Sequence, residues 1–227
     1  MIPKILHYCW FGGKEKPKEF LQYLETWRTR LPDFELKEWN ETNFDYSSFR
    51  YAREAYLTRN YAHVSDVCRI YALYTYGGIY LDTDVEVVSS FAPYMRLPSF
   101  VSMESTLVGA AVIGAAPGQP WIKRFLDFYS TTHFINSCGH AVRTPNTKLL
   151  TCKILPSLEI KDWPTIFPAD YFCGIRGEDG LMHATENTIA IHHFAASWRR
   201  KKTFSQRVKL LREGLKVRYC RSSHNDG

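Results

Sequence analysis

The chain has 227 residues, enough for one domain with a small appendage and a buried core of ordinary size. Hydrophobic residues make up 45% and charged residues 23%, which excludes a disordered or low-complexity chain. The net charge of +6 is local: ten Lys/Arg from Arg199 onward, against Glu213 and Asp226, give that tail +8 and leave the rest at −2. A nucleic-acid-binding body is thereby disfavoured.

In chain order, Ile2 to Phe11 is an apolar, aromatic run closed by Gly12-Gly13 and is predicted as a first strand and turn. Phe20, Leu21, Leu24 and Trp27 predict a helix over 17–30, and Phe34 to Trp39 a second strand. Residues 40–45 are loop-like and 47–60 irregularly helical. Residues 62–76 form the clearest helix, with Val64, Val67, Cys68, Tyr71 and Tyr74 in one stripe and Ser65, Asp66, Arg69 and Leu73 on another face. Gly77-Gly78 should end it.

Residues 79–88 read as one strand interrupted by acids. Residues 100–103 and 110–114 are further strands, 121–129 an amphipathic helix, 146–155 helical, and 188–194 a late strand. This alternation predicts an α/β layered sheet. Cys9, Cys68, Cys138, Cys152, Cys173 and Cys220 contain no C-x-x-C pair and are expected to be reduced thiols. No secretory signal or membrane-spanning run is read from the sequence, and a cytoplasmic location is expected.

The chemistry gathers at Asp82-Thr83-Asp84. On a continuous strand Tyr80, Asp82, Asp84 and Glu86 would share one face, with Ile79, Leu81, Val85 and Val87 on the core face. Carboxylates so crowded repel unless a cation lies between them, and hard oxygen ligands suit Mn²⁺ or Mg²⁺. Asp66 and Arg69, at i and i+3 on the non-core face of the preceding helix, could reach the same pocket.

The block Ala62 to Asp84 (AHVSDVCRIYALYTYGGIYLDTD) resembles the glycosyltransferases with a D-x-D sugar-binding region. That family includes capsular and lipopolysaccharide glycosyltransferases, initiating mannosyltransferases and, distantly, the clostridial glucosylating toxins. The opening Ile2–Gly13 and the later Ile191-His192-His193-Phe194-Ala195-Ala196-Ser197-Trp198 are similar to the same family. The resemblance implies a GT-A type, Rossmann-like nucleotide-sugar-binding sheet over residues 1–198. It also implies a retaining, metal-dependent hexosyltransferase, with a UDP-sugar favoured as donor and a glycan or lipid-linked acceptor in polysaccharide biosynthesis. Under it Trp10 would stack on the base, with Tyr8 and Cys9 lining that pocket. Asp66 and Arg69 would hold the transferring sugar, Ser65 would line its site and Tyr80 would position the donor. Asp82 would contact ribose and metal, Asp84 would ligate the metal directly, and a late histidine, His192 in preference to His193, would be a third ligand or a pyrophosphate contact. Ser197 and Trp198 would close over the pyrophosphate. Glu104 and Asn146 fall where sugar or acceptor contacts are often found.

In the tail, 199–227, Phe204, Val208, Leu211 and Leu215 stand at helical spacing among basic residues. This suggests a peripheral contact with an anionic membrane surface, on the inner face of the cell membrane. Two other readings stay open on residues alone. One is a metal-dependent nucleotidyl- or phosphotransferase, although no G-x-x-x-x-G-K-[ST] loop is present. The other is a nucleic-acid module using the tail.

Overall fold

A computed structural model describes residues 1–195. The tail, Ser197, Trp198, Cys220 and the boundary expected at residue 198 lie outside the described residues. The elements run β1 (Ile5–Cys9), α1 (Lys18–Arg30), β2 (Glu35–Trp39), α2 (Arg50–Leu57), α3 (Tyr61–Tyr76), β3 (Gly78–Leu81), β4 (Val85–Val87), β5 (Ser99–Glu104), β6 (Leu107–Val108) and β7 (Val112–Ala115). Then come α4 (Pro120–Thr131), α5 (Asn146–Leu149), β8 (Thr165–Phe167), α6 (Ala169–Phe172), β9 (Ile175–Arg176), β10 (Met182–His183) and β11 (Ala190–His192). Among the described residues no helix is long and apolar enough to cross a membrane.

The main sheet has the order β2-β1-β3-β7-β5-β6, with β8 on β5. Strands β2, β1 and β3 are parallel, and β7 turns the sheet antiparallel against β3. One face is covered by α2, α3 and α4, with Val64, Val67, Ile70, Ile113, Trp121 and Phe125 in its core. The other is covered by α1 and by aromatics including Phe91, Phe100 and Phe172. The expected α/β sheet flanked by helices is thus the observed one.

Two expectations are corrected. Residues 79–88 are not one strand. Asp82 N–H donates to the Ala111 carbonyl (2.8 Å) and Val85 N–H to the Asp82 carbonyl (3.1 Å), so the chain turns at Asp82–Asp84. It then leaves the main sheet as β4 and pairs with β11. Helix α1 holds the departing strand: Trp27 Nε1 donates to the Val85 carbonyl (2.8 Å), and Thr26 Oγ1 accepts from Val87 N–H (3.0 Å). The single-face alternation of Tyr80, Asp82, Asp84 and Glu86 therefore fails beyond Asp82, and Glu86 instead meets His193 Nε2 at 2.9 Å. Second, Asp66 and Arg69 do not lie on a solvated face. Helix α3 has the sheet on one side and α2 and α4 on the other, and both side chains are buried.

The α3–β3 turn fixes where β3 delivers its aspartates. Gly77 caps the helix at φ +64°, its N–H donating to the Leu73 carbonyl. Gly78 follows at φ +107°, and a Cβ there would lie 2.5 Å from the Ile5 carbonyl oxygen. His7 braces the turn from below: its Nε2 donates to the Gly77 carbonyl at 2.7 Å, and its Nδ1 accepts from Trp39 Nε1 at 3.1 Å. Burial holds its pKa down to about 4, from 6.5.

That burial implies an acid sensitivity. His7 is neutral in the folded chain down to pH 4, whereas the unfolded chain takes up the proton near 6.5. Its contribution is full above 6.5 and is lost as pH falls toward 4, by about 3 kcal/mol. Urea midpoints measured from pH 7 to 4 should fall steeply in this window, and His7→Gln should flatten the slope. An unchanged slope in the variant would place the acid sensitivity elsewhere.

Candidate active site

The parallel register sets Leu6 beside Ile79 and His7 beside Tyr80, so Cys9 and Trp10 follow β1 to the same sheet end at which Asp82 leaves β3. The chain runs from β1 to β2 on one side and to β3 on the other. This sheet end is therefore a topological switch point, where open α/β sheets form their ligand crevice.

Three groups converge there. Ligand atoms of Asp82, Asp84 and His192 all lie within 4.8 Å of one another. The turn brings the two carboxylates together, and β11, paired with β4, carries His192 to them: Nε2 is 3.4 Å from Asp84 Oδ1. Asp84 Oδ2 accepts from Ala195 N–H at 2.9 Å. Two carboxylates and an imidazole at this spacing are a donor set that could hold a divalent cation.

Behind the cluster lies a buried ion network. Arg69 Nη2 donates to Asp66 Oδ1 (2.9 Å) and lies 3.1 Å from Asp82 Oδ1. Its Nη1 donates to the Ala110 carbonyl (2.7 Å) and to Asp82 Oδ2 (3.3 Å). The guanidinium also lies over the Tyr80 ring at 4.6 Å, and Tyr80 OH donates to Asp82 Oδ1 at 3.1 Å. Asp66 is held from its far side by Asn146 Nδ2 (2.8 Å) and His63 Nδ1 (3.3 Å), and Tyr129 OH donates to Asn146 Oδ1.

The electrostatics follow from this packing. Burial pushes the Asp82 carboxyl upward; Arg69 opposes the shift and the Asp84 charge adds to it. Burial acts on Asp84 in the same sense, but His192 and the Ala195 N–H outweigh it and hold Asp84 low. Burial disfavours the charged form of Arg69, yet Asp82, Tyr80 and Asp66 keep it firmly protonated. Burial likewise disfavours the His192 cation, and Asp84, Cys173 and Glu104 reverse this.

The other sequence candidates are placed as follows. Trp10 stacks on Phe20 (5.5 Å) toward α1, and its Nε1 donates to the Lys14 carbonyl at 2.7 Å. Tyr8 is buried edge-on against Phe20 and Trp27, its OH donating to Glu38 Oε2 at 2.8 Å. Cys9 is a buried thiol; Cys68, Cys138, Cys152 and Cys173 are free as well. Ser65 Oγ donates within its own helix, to the Tyr61 carbonyl. His63, Tyr129 and the Ala110 carbonyl belong to the network without having been singled out. Only a contact map could have found them, since Tyr129 and Ala110 lie far along the chain and His63 resembles any core histidine.

A doubly covered α/β sheet thus carries paired aspartates and a buried Asp–Arg couple at its switch point. Residues 17–103 match the family described as glycosyltransferase sugar-binding region containing DXD motif. Over that region the chain is similar to this family. Its mixed sheet matches the α/β layering that the resemblance implies. An inositol phosphoceramide mannosyltransferase of Schizosaccharomyces pombe is 30% identical over 128 residues, 53% of this chain and 35% of that protein. A mannosyl phosphorylinositol ceramide synthase of Saccharomyces cerevisiae is 25% identical over 135 residues, 56% of this chain and 34% of that protein. The chain spans about a third of the length of these curated relatives. The solved structure of PaToxG Glycosyltransferase superposes with a TM-score of 0.48 at 21% identity, covering 56% of this chain and 59% of that one.

Proposed function

We propose that the enzyme is a metal-dependent, retaining transferase that moves a hexose or N-acetylhexosamine from a nucleotide sugar, UDP-linked by preference, to a glycan or lipid-linked acceptor in polysaccharide biosynthesis. The supporting observation is the convergence of Asp82, Asp84 and His192 at one sheet end, backed by the Asp66–Arg69 couple. Asp82, Asp84 and His192 would hold Mn²⁺ or Mg²⁺, which supplies Lewis-acid neutralisation of the departing diphosphate. Asp82 is fixed for this by Arg69 and Tyr80, so its carboxylate does not reorganise during transfer. Asp66 has three partners, Arg69, Asn146 and His63, and its remaining acceptor capacity suits a sugar hydroxyl.

Trp10 and Cys9, following β1 to the same sheet end, would border the nucleobase, with Tyr8 packed beneath. Ser197 and Trp198 would cover the diphosphate and exclude water. A retaining outcome puts the acceptor hydroxyl on the face from which the nucleotide departs. The basic 199–227 segment would rest on an anionic membrane surface, the inner face of the cell membrane, where a lipid-linked acceptor is presented. The names of the fungal relatives favour that lipid-linked arm and make a mannosyl donor the comparison for UDP-sugars.

Nucleoside diphosphate release tests this reading directly. UDP-hexoses, UDP-N-acetylhexosamines and GDP-mannose are each incubated without acceptor. One of them should be hydrolysed slowly with Mn²⁺, with the rate falling roughly a hundredfold or more in excess chelator and returning when Mn²⁺ is restored. Turnover indifferent to chelation would remove the metal from the mechanism. Failure to release diphosphate from any donor would remove the transferase.

A further inference from the structure

We infer that Glu104 is a positioning residue for His192: its carboxylate accepts the imidazole Nδ1–H and thereby aims the Nε2 lone pair at the cation that His192 and Asp84 would share. The inference rests on the metal site proposed above. His192 lies between two carboxylates, with Nε2 3.4 Å from Asp84 Oδ1 and Nδ1 3.6 Å from Glu104 Oε2. Nδ1 is shielded from solvent and has no hydrogen-bond partner at its present separation. A buried ring nitrogen left so is costly, and the contact is just outside bonding range.

Glu104 is built to close that gap. It ends β5, and its side chain is 24% exposed, free enough to move by a fraction of an ångström. The chain then turns through Ser105 at φ +57° into β6, whose Val108 N–H donates to Thr151 Oγ1 at 2.8 Å, and Gly109 N–H returns to the Ser102 carbonyl at 2.8 Å. Gly109 packs against this segment: a Cβ there would stand 3.0 Å from the Ser102 oxygen and in ordinary contact with Glu104, 3.4 Å from its Cβ and 3.7 Å from Oε2.

The ring plane of His192 is meanwhile set by Phe194, 4.0 Å away between centroids, which is itself held at φ +52°. With the plane fixed, the partner on Nδ1 decides which nitrogen presents its lone pair to a metal, and such outer partners of ligating histidines govern metal affinity. The thiol-bearing Cys173 lines the same cleft and is the competing partner for Nδ1.

The test uses the full chain with Mn²⁺ affinity from electron paramagnetic resonance and the His192 tautomer from ¹⁵N NMR with Mg²⁺. Wild type should show His192 protonated at Nδ1. Glu104→Ala should lose that pattern and weaken Mn²⁺ roughly 10- to 100-fold. Glu104→Gln, whose amide oxygen accepts the same proton, should stay within about threefold; it decides the matter if the alanine variant does not fold. Overturning results are Glu104→Ala binding like wild type, Glu104→Gln failing as badly as alanine while folded, or Cys173→Ala, rather than the Glu104 change, freeing Nδ1. Should wild type bind no cation, the metal reading falls. The ¹⁵N pattern in buffer alone then decides the contact: loss of a protected Nδ1–H in Glu104→Ala sustains it, and no change overturns it.

Discussion

Asp84→Ala is expected to lower kcat for donor turnover roughly 10³-fold, on the order of 4 kcal/mol in the barrier, while changing the folding free energy little. The dissociation follows from what Asp84 touches. Its oxygens meet His192 and the Ala195 N–H, and neither is part of the Arg69 network. Relief of desolvation and of the charge it sets against Asp82 offsets part of what its removal costs in those contacts. Asp82→Ala should behave differently, because it also strips Arg69 and Tyr80 of a partner, and there activity and stability should fall together. Steady-state kinetics over a Mn²⁺ titration, run beside urea unfolding, separates the two patterns. An Asp84→Ala enzyme keeping Mn²⁺-stimulated turnover within tenfold of wild type would falsify the assignment of Asp84 as a ligand.

The contrast between the two aspartates also marks where sequence periodicity stops being informative. Helix α3 and strand β3 were legible because a long apolar period and a double glycine are local signals, and the D-x-D was legible as part of a resemblance. The geometry that joins Asp82 to Asp84 was not. A period-two reading assumes that the ladder continues, and here Asp82 spends its N–H and carbonyl on Ala111 and Val85, which ends the strand. The acids converge through a turn and through β11, not along a pleat. Arg69 was misread for a related reason. On a helix covered on both sides, polar spacing no longer marks solvent, and a charged pair at i and i+3 becomes the filling of a core. Asn146, 80 residues from Asp66, enters only because α5 packs beside it.

Arg69→Ala should cost about 3–5 kcal/mol of stability, the largest loss expected from any single change at this site. The residue is 6% exposed and serves two carboxylates and one carbonyl at once. Truncation strips buried Asp66 and half-buried Asp82 of the guanidinium they share, and leaves the Ala110 oxygen without its donor. Lysine cannot substitute, because a single ammonium does not span the three acceptors that the planar fork reaches. Arg69→Lys should therefore still lose roughly half as much.

The cause can be isolated by a double-mutant cycle. If the loss comes from stranded charge, adding Asp66→Asn to Arg69→Ala should recover part of it, although Asp66→Asn alone destabilises; the two changes should be far from additive. Urea midpoints at constant m-value read this out. Additivity, or an Arg69→Ala cost below about 1 kcal/mol, would mean that the guanidinium is solvated and that Asp82 is held by something else. The same cycle read in kcat tests function, because an Asp82 that has lost its brace must be reorganised in each turnover. Arg69 variants that fold should thus be slow even at saturating Mn²⁺, whereas a ligand variant such as Asp84→Ala should fail through the cation itself.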